Sequence, residues 1–370
     1  MQVSKWPISG AREIELLREV LESDRWGGYH EFVNRFEKEF CRFQHCTDGV
    51  SAANGTVTLE MALEALGIGD GDEVIVPAIS FISTATAVSR MRATPVFVDI
   101  EPHSFHVDPE CVRRAIGSRT KAIMAVHFGG PMADMDRLCA IAAENNLALI
   151  EDAAHAHGSE WRGRRAGSIG TAGSFSFQNS KVMTAGEGGI LTSNDAALVE
   201  RVRSISDQGR KSGGGWFFHY TLGTNYRITA WQAAVLLAQL ERLPEQNCRR
   251  ERNAAALRHE VAGVAGLTLQ KVAAEARVHT NYLLLGRVDA AKFGKTRDQL
   301  HQDMTAAGVP FTPFYPHTLY RNPAYHDRNC RVEPCPVAEA CIRDAFWLPH
   351  RVLLGTEDDA REIAAFLRGG

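Results

Sequence analysis

Between residues 74 and 193 the chain repeats one pattern: a short unbroken apolar run, a segment of helix length, then another apolar run. Val74-Ile75-Val76, Val96-Phe97-Val98, Ile123-Met124-Ala125-Val126 and Leu147-Ala148-Leu149-Ile150 show no polar alternation. A strand with one wet face alternates, whereas a strand covered on both faces reads as a continuous run. Such runs separated by helices predict an α/β fold: a mostly parallel sheet, covered on both sides, with right-handed crossovers. Asp108-Pro109 predicts one covering helix, with a capping aspartate and proline in the first turn; residues 134–143 predict another. Two further strands, 174–177 and 189–193, lie closer together.

The flanking segments extend this frame. Ser9 is expected to cap a helix carrying Ile14, Leu16, Leu17, Val20 and Leu21 on one face. Phe32, Phe36 and Phe40, spaced at i, i+4 and i+8, mark a second helix with an apolar stripe. A helix over 228–243 and another over about 245–264 follow. Beyond them Tyr282-Leu283-Leu284-Leu285, a helix near 296–307, residues 311–315 and two late helices predict a smaller C-terminal α/β domain. At 370 residues the chain has room for two domains, here expected as 1–245 and 246–370.

Composition enters by exclusion. Forty-one basic against 44 acidic side chains, a net charge of −3, argue against a nucleic-acid-binding protein. No apolar stretch approaches the roughly 20 residues that cross a bilayer, and Met-Gln-Val-Ser-Lys-Trp-Pro lacks the apolar centre of a signal peptide. Eight cysteines are too sparse for a disulfide framework, so the expected setting is cytoplasmic. Cys330, Cys335 and Cys341 near His326 lack close Cys-x-x-Cys pairing, so no metal site is expected.

In open α/β sheets ligands gather at the carboxyl ends of strands. Leu147-Ala148-Leu149-Ile150 runs straight into Glu151-Asp152, and Ser174-Phe175-Ser176-Phe177 into Gln178-Asn179-Ser180-Lys181. Asn54-Gly55-Thr56 opens a helix. The glycines of Gly186-Glu187-Gly188-Gly189 follow the lysine, so this is not a Walker loop. A lysine at one strand end and an acid at another instead suit pyridoxal 5'-phosphate, which is bound as a Schiff base to lysine with an aspartate at its pyridine nitrogen. Gly55 and Thr56, at a helix N-terminus, suit its phosphate, and Ser176 offers a hydroxyl. Singly each feature has an ordinary reading, as a turn aspartate or a helix cap. Their joint order carries the inference.

The chain closely resembles the DegT-type aminotransferases, fold-type I pyridoxal-phosphate enzymes that aminate keto-sugars and keto-cyclitols. The resemblance runs over nearly the whole length, through Asn54-Gly55-Thr56, 71–77, Ser83-Thr84-Ala85-Thr86, 95–99, 151–158, 175–189 and Asn225-Tyr226-Arg227. It implies that Lys181 is the Schiff-base lysine and the general base, and that Asp152 keeps the pyridine nitrogen protonated. Phe81 would stack on the ring, with core packing as the alternative. His155 would lie beside the cofactor, with a packed core histidine as the alternative. Gly55, Thr56, Ser176 and Gln178 would complete the cofactor contacts. Asn225 would reach the phosphate in a neighbouring subunit, which implies a homodimer with shared sites.

Departures from the family pattern bear on the substrate. Ala230 stands where the family commonly has an acid, and Gln178-Asn179-Ser180 stands where many sugar-nucleotide members have His-Pro. His155 and the segment 347–354 look like the aminocyclitol and 3-amino-5-hydroxybenzoate synthase branches. His350 or Arg351 would then meet a substrate carboxylate or hydroxyl, a structural ion pair being the alternative. Trp26, Tyr29, His219, Tyr315 and His317 are weaker candidates for the pocket wall. The expected reaction uses a small amino donor, glutamine or glutamate, and a keto acceptor. Dehydration to 3-amino-5-hydroxybenzoate is the alternative outcome.

Overall fold

The computed structural model describes residues 3–369. Strands β1 (Asp48–Ala52), β2 (Glu73–Pro77), β3 (Thr94–Val98), β4 (Thr120–Val126) and β5 (Ala148–Asp152) are followed by a two-residue hairpin, β6 (Glu160–Trp161) and β7 (Arg164–Arg165). β8 (Ala172–Ser176) and β9 (Gly189–Ser193) complete the large sheet, whose order is β1-β9-β8-β5-β4-β2-β3. β9 alone runs against its neighbours; β3, β2, β4, β5 and β8 are mutually parallel. Every residue of β2, β3, β8 and β9 is buried; this is why the centres of β2 and β3 read as continuous apolar runs, while β8 and β9 bury the hydroxyls of Ser174, Ser176, Thr192 and Ser193. β1 has no comparable signature, since Asp48-Gly49-Val50-Ser51-Ala52 is short and half polar.

Helices cover both faces. Phe32, Phe36 and Phe40 of the helix Glu31–Gln44 pack into one core with Phe175 and Phe177. The helices Gly55–Ala65 and Ser83–Arg90 build the other core through Leu59, Met61, Leu63, Ala85 and Val88.

Three expectations are corrected. The helix Ala11–Glu22 is capped not by Ser9 but at Gly10, whose amide donates to Glu13 Oε2. Within it only Leu16 and Val20 of the expected stripe are buried, while Ile14 and Leu21 face outward. The two helices expected around residue 245 are one, Ala230–Glu260, which runs through Pro244. The proline removes one backbone donor, but each half has its own anchor. Leu236, Leu237, Leu240 and Leu243 enter the large core, and Ala254 and Leu257 enter a separate C-terminal core.

That C-terminal core lies on a second sheet of β10 (Leu267–Leu269), β11 (Leu283–Val288), β12 (Thr312–Pro313) and β14 (Ala345–Pro349), in the order β10-β11-β14-β12. The division expected at 245/246 thus falls inside a helix that both units share. The C-terminal part also reaches back: β13 (Arg331–Val332) adds to β3 of the large sheet. The helix Pro336–Asp344 starts on Asp99, whose carboxylate accepts from the amides of Val337 and Ala338.

Candidate active site

Adjacent acids end β5, and strand alternation sends them to opposite faces. Glu151 is fully buried and consumed by structure, accepting from the amides of Gly167, Ile169 and Gly170 and pairing with His127 Nε2 at 2.9 Å. Burial pushes its pKa up, but the His127 and backbone hydrogen bonds outweigh this and hold it below the usual carboxylate value. Asp152 is the acid left for chemistry. Its Oδ2 accepts from the Thr84 hydroxyl at 2.8 Å and its Oδ1 from the Ala154 amide at 3.3 Å. Phe81, at the start of the Thr84 turn, exposes more than half of its ring, a poor arrangement for an aromatic with nothing to cover it.

His155 lies a short step beyond Asp152, between Phe128 and Tyr282, with ring centroids at 5.6 and 4.3 Å. The Gly129 amide donates to its Nδ1, so the ring proton sits on Nε2. Gly129 has φ +84°, and a Cβ there would lie 2.8 Å from Leu285 Cδ1; only glycine lets this amide approach. Burial, reinforced by Lys181, drives the His155 pKa well below its ordinary value, so the imidazole is neutral near pH 7.

Lys181 sits in the loop that leaves β8. Its Nζ lies 4.6 Å from the centroid of the Tyr282 ring. The Tyr282 hydroxyl meets Ser180 Oγ at 2.9 Å, and Gln178 Oε1 accepts from both the Ser180 amide and hydroxyl at 2.8 Å. Gln178 therefore braces the lysine loop through its side-chain oxygen. The loop returns through Gly186 and Gly188 with positive φ, and a Cβ on Gly189 would meet the Asn54 carbonyl carbon at 2.6 Å. The glycine run thus makes room for the turn that opens the helix Gly55–Ala65.

At that turn Asn54 Oδ1 accepts from the Val57 amide, leaving the first-turn amides of Gly55 and Thr56 without intrahelical partners. Gly55 packs so tightly on Ser176 that a Cβ would come within 2.7 Å of the serine Cβ. Thr56 Oγ1 meets Ser83 Oγ at 2.8 Å. Free amides at a helix start, two hydroxyls, a carboxylate, an uncovered aromatic ring and an amine fit the phosphate, pyridine and aldehyde of pyridoxal phosphate.

The remaining candidates separate into groups. Tyr315 packs on Phe128 and Trp347, at 6.1 and 5.2 Å. Burial, with Tyr282 and Asp152 adding to it, raises its pKa, which sets it on the same wall. Trp26 and Tyr29 gather at a different centre, around Asp207. Tyr29 donates to Asp207 Oδ1 at 2.6 Å, Arg227 pairs with the same oxygen, and Trp26 packs on Trp231. His219 bonds the neighbouring Gln208 carbonyl. Asn225 is exposed beside this cluster, bridged to Asp207, while the next carbonyl, Tyr226 O, accepts from Ala53 next to the Gly55 turn. His317 and Arg351 are exposed, and Arg351 has no ion pair among the described residues. His350 is buried between Trp6 and Tyr282, with Nε2 bonded to Ser180 O, so it backs the lysine loop rather than facing a pocket.

Tyr282 and Thr84 escaped the residue-level reading, because one lies inside an apolar run and the other in a helix start without an unusual pattern. A separate cleft of about 630 Å³ lies at the other end of the C-terminal sheet, lined by Arg287, Arg297 and Asp344. Its main charges already satisfy each other, since Arg287 holds Asp344 through two bonds of 2.9 and 2.7 Å. The eight cysteines are free, and the described residues contain no group of three or more His, Cys, Asp or Glu able to hold a metal. None of the described helices is long and apolar enough to cross a membrane.

Comparison with known proteins agrees with this geometry. The chain is 36% identical over 375 residues to the 3-amino-5-hydroxybenzoate synthase of Amycolatopsis mediterranei (strain S699), covering 98% of this chain and 95% of that one. It is 36% identical over 386 residues to the L-glutamine:2-deoxy-scyllo-inosose aminotransferase of Micromonospora echinospora, covering 97% and 92%. A crystal structure of 3-amino-5-hydroxybenzoic acid synthase superposes with a TM-score of 0.94 at 35% identity, covering 100% of this chain and 98% of that one. The family profile matches residues 7–368, from the segment before the first helix to the end of the last, and the chain belongs to the DegT/DnrJ/EryC1/StrS aminotransferase family.

Proposed function

We propose that this aminotransferase moves an amino group from glutamine or glutamate to a keto-sugar or keto-cyclitol. Pyridoxal phosphate would be held on Lys181, and the two substrates would use the site in turn. The observation that carries this reading is the Lys181 amine over Tyr282, in the loop between the Asp152 strand and the Gly55 turn. Bound pyridoxal phosphate supplies an electron sink for the carbon that loses its proton.

The chain's own residues do the rest. Asp152, oriented by Thr84, would pair with the pyridine nitrogen. Gly55, Thr56 and Ser176 would hold the phosphate, and Phe81 would cover the ring. Lys181 Nζ takes and returns the proton at the substrate carbon. Neutral His155 offers its Nε2–H as a donor without adding a second positive charge beside the lysine. Trp216, Phe217, Phe218, Tyr220 and Leu222 are exposed just before Asn225, an apolar loop that a second copy of the chain would cover. We assign a homodimer in which Asn225 reaches the partner's phosphate site.

The relatives that act on inososes support a cyclitol or sugar acceptor. The likeness to 3-amino-5-hydroxybenzoate synthase supports a second outcome, amination followed by aromatisation. One experiment separates them. The protein is loaded with pyridoxamine phosphate and offered a panel of keto-cyclitols, keto-sugars and 2-oxo acids. Return of the visible absorbance of lysine-bound cofactor with a cyclitol or sugar, and an aminated non-aromatic product, is expected. A new ultraviolet-absorbing aminobenzoate would select the second reading. Response to 2-oxo acids alone would exclude both.

A further inference from the structure

Three buried polar atoms behind Lys181 have no hydrogen-bond partner within the described chain: Arg250 Nη1, His157 Nδ1 and His350 Nδ1. All three residues are at least 98% buried. Natural interiors leave few such atoms, and a cluster of them calls for an occupant.

Their chemistry is complementary. His157 Nε2 lies 3.0 Å from Ser176 O, and His350 Nε2 lies 3.1 Å from Ser180 O. A carbonyl only accepts, so both rings carry their proton on Nε2 and present a bare lone pair at Nδ1. Arg250 spends Nε on Thr280 O at 3.1 Å and Nη2 on Asn247 Oδ1. That leaves three of its five protons, both on Nη1 and one on Nη2. No carboxylate pairs with this guanidinium among the described residues. Hydrogen bonds link the three residues: Arg250 holds Asn247 and Thr280 O, Asn247 Nδ2 donates to His157 O, and the His350 amide donates to Tyr282 O, two residues past Thr280. The charge of Arg250 helps depress the pKa of both histidines, after burial as the larger cause.

We propose that Arg250 is a positioning residue for Lys181, acting through one buried water that accepts from Nη1 and donates to Nδ1 of His157 and His350. Three hydrogen bonds are the usual complement of a buried water. This water ties the Nδ1 lone pairs of the two imidazoles to Arg250, and each imidazole holds one end of the backbone from Ser176 to Ser180 through its Nε2–H. The lysine loop is thereby clamped at both ends from behind, by groups that never meet the substrate. The inference concerns the loop's support and stands apart from the choice of acceptor.

Two measurements test it. A crystal structure that resolves ordered water is expected to show one within about 3.2 Å of all three atoms. Direct contact of Arg250 with either ring, or no water there, overturns the proposal. Imidazole ¹⁵N spectra of the cofactor-loaded protein are expected to show His157 and His350 as Nε2–H tautomers. In Arg250→Met the Nδ1 resonance of at least one ring should shift as its hydrogen bond is lost, with amide exchange across 176–181 faster by about 10-fold while distant strands keep their protection. Unchanged Nδ1 resonances and unchanged exchange would refute the role. Should Arg250→Met not fold, Arg250→Lys, which keeps the charge but loses the fork, is expected to give the same two changes in weaker form.

Discussion

The Thr84 hydroxyl gives its only proton to Asp152 Oδ2 at 2.8 Å, so at the 2.7 Å contact between Ser80 and Thr84 the serine must be the donor. A relay of two hydroxyls therefore points its final proton at the one acid of β5 that is free for chemistry. Hydrogen bonds to charged groups are worth about 1.5–3 kcal/mol.

Thr84→Val keeps the shape and removes that bond. It is expected to lower kcat by roughly 10- to 100-fold, the rate equivalent of that energy, with the melting temperature little changed. Steady-state kinetics beside thermal melts check this; a variant with native kcat would detach Thr84 from the function of Asp152.

Removing the amine is the severer change. Lys181→Ala should reduce amino transfer by about 1000-fold or more, within the range for loss of a general base, while circular dichroism stays native. Lys181 is only partly buried, so its truncation leaves no closed cavity in either core.

Asn225→Ala should weaken cofactor retention in the homodimer. Because its defect and that of Lys181→Ala would lie in different subunits of one site, mixed dimers should regain one intact site in each heterodimer. Activity in purified heterodimers measures this, and none above the parent variants would refute shared sites.

Acid should destabilise the protein above the carboxylate range. Burial drives the pKa of His106 and of His157 from 6.5 to about 3, helped by His127 for the first and Lys181 for the second. The unfolded chain takes up these protons near pH 6.5 and the folded chain only near 3. Stability is therefore full above about pH 6.5 and falls as the pH drops through that window. At pH 5.5 each histidine costs about 1.4 kcal/mol. These two alone should make denaturant titrations at pH 7.5 and 5.5 differ by roughly 3 kcal/mol, with His155, His279 and His350 adding in the same direction; equal stability at both would contradict the burial of these rings as neutral groups.

Where the physics is local, it was legible in the chain. Strands covered on both faces favour apolar residues, so β2 to β5 announce themselves, and the end of β5 leads directly to Asp152. What stayed hidden depends on long-range contact. The resemblance assigns Asp152 rather than Glu151, but the physical reason shows only once Gly167, Ile169, Gly170 and His127 are seen to occupy Glu151. Tyr282 reads as one more apolar strand residue until the C-terminal sheet brings it under Lys181. His350 shows the same effect in reverse, since a polar residue near the chain end looked available to substrate and is spent on Ser180 O. Pro244 argued for a break between two helices, and two separate cores on either side of it override that local preference.

The central claim is that Lys181 carries the cofactor. Protein incubated with pyridoxal phosphate and reduced with borohydride fixes the cofactor to whichever lysine holds it, and peptide mass spectrometry locates the adduct. The account predicts one stoichiometric adduct on Lys181 and none in Lys181→Ala. An adduct on another lysine, or no adduct at all, would contradict it.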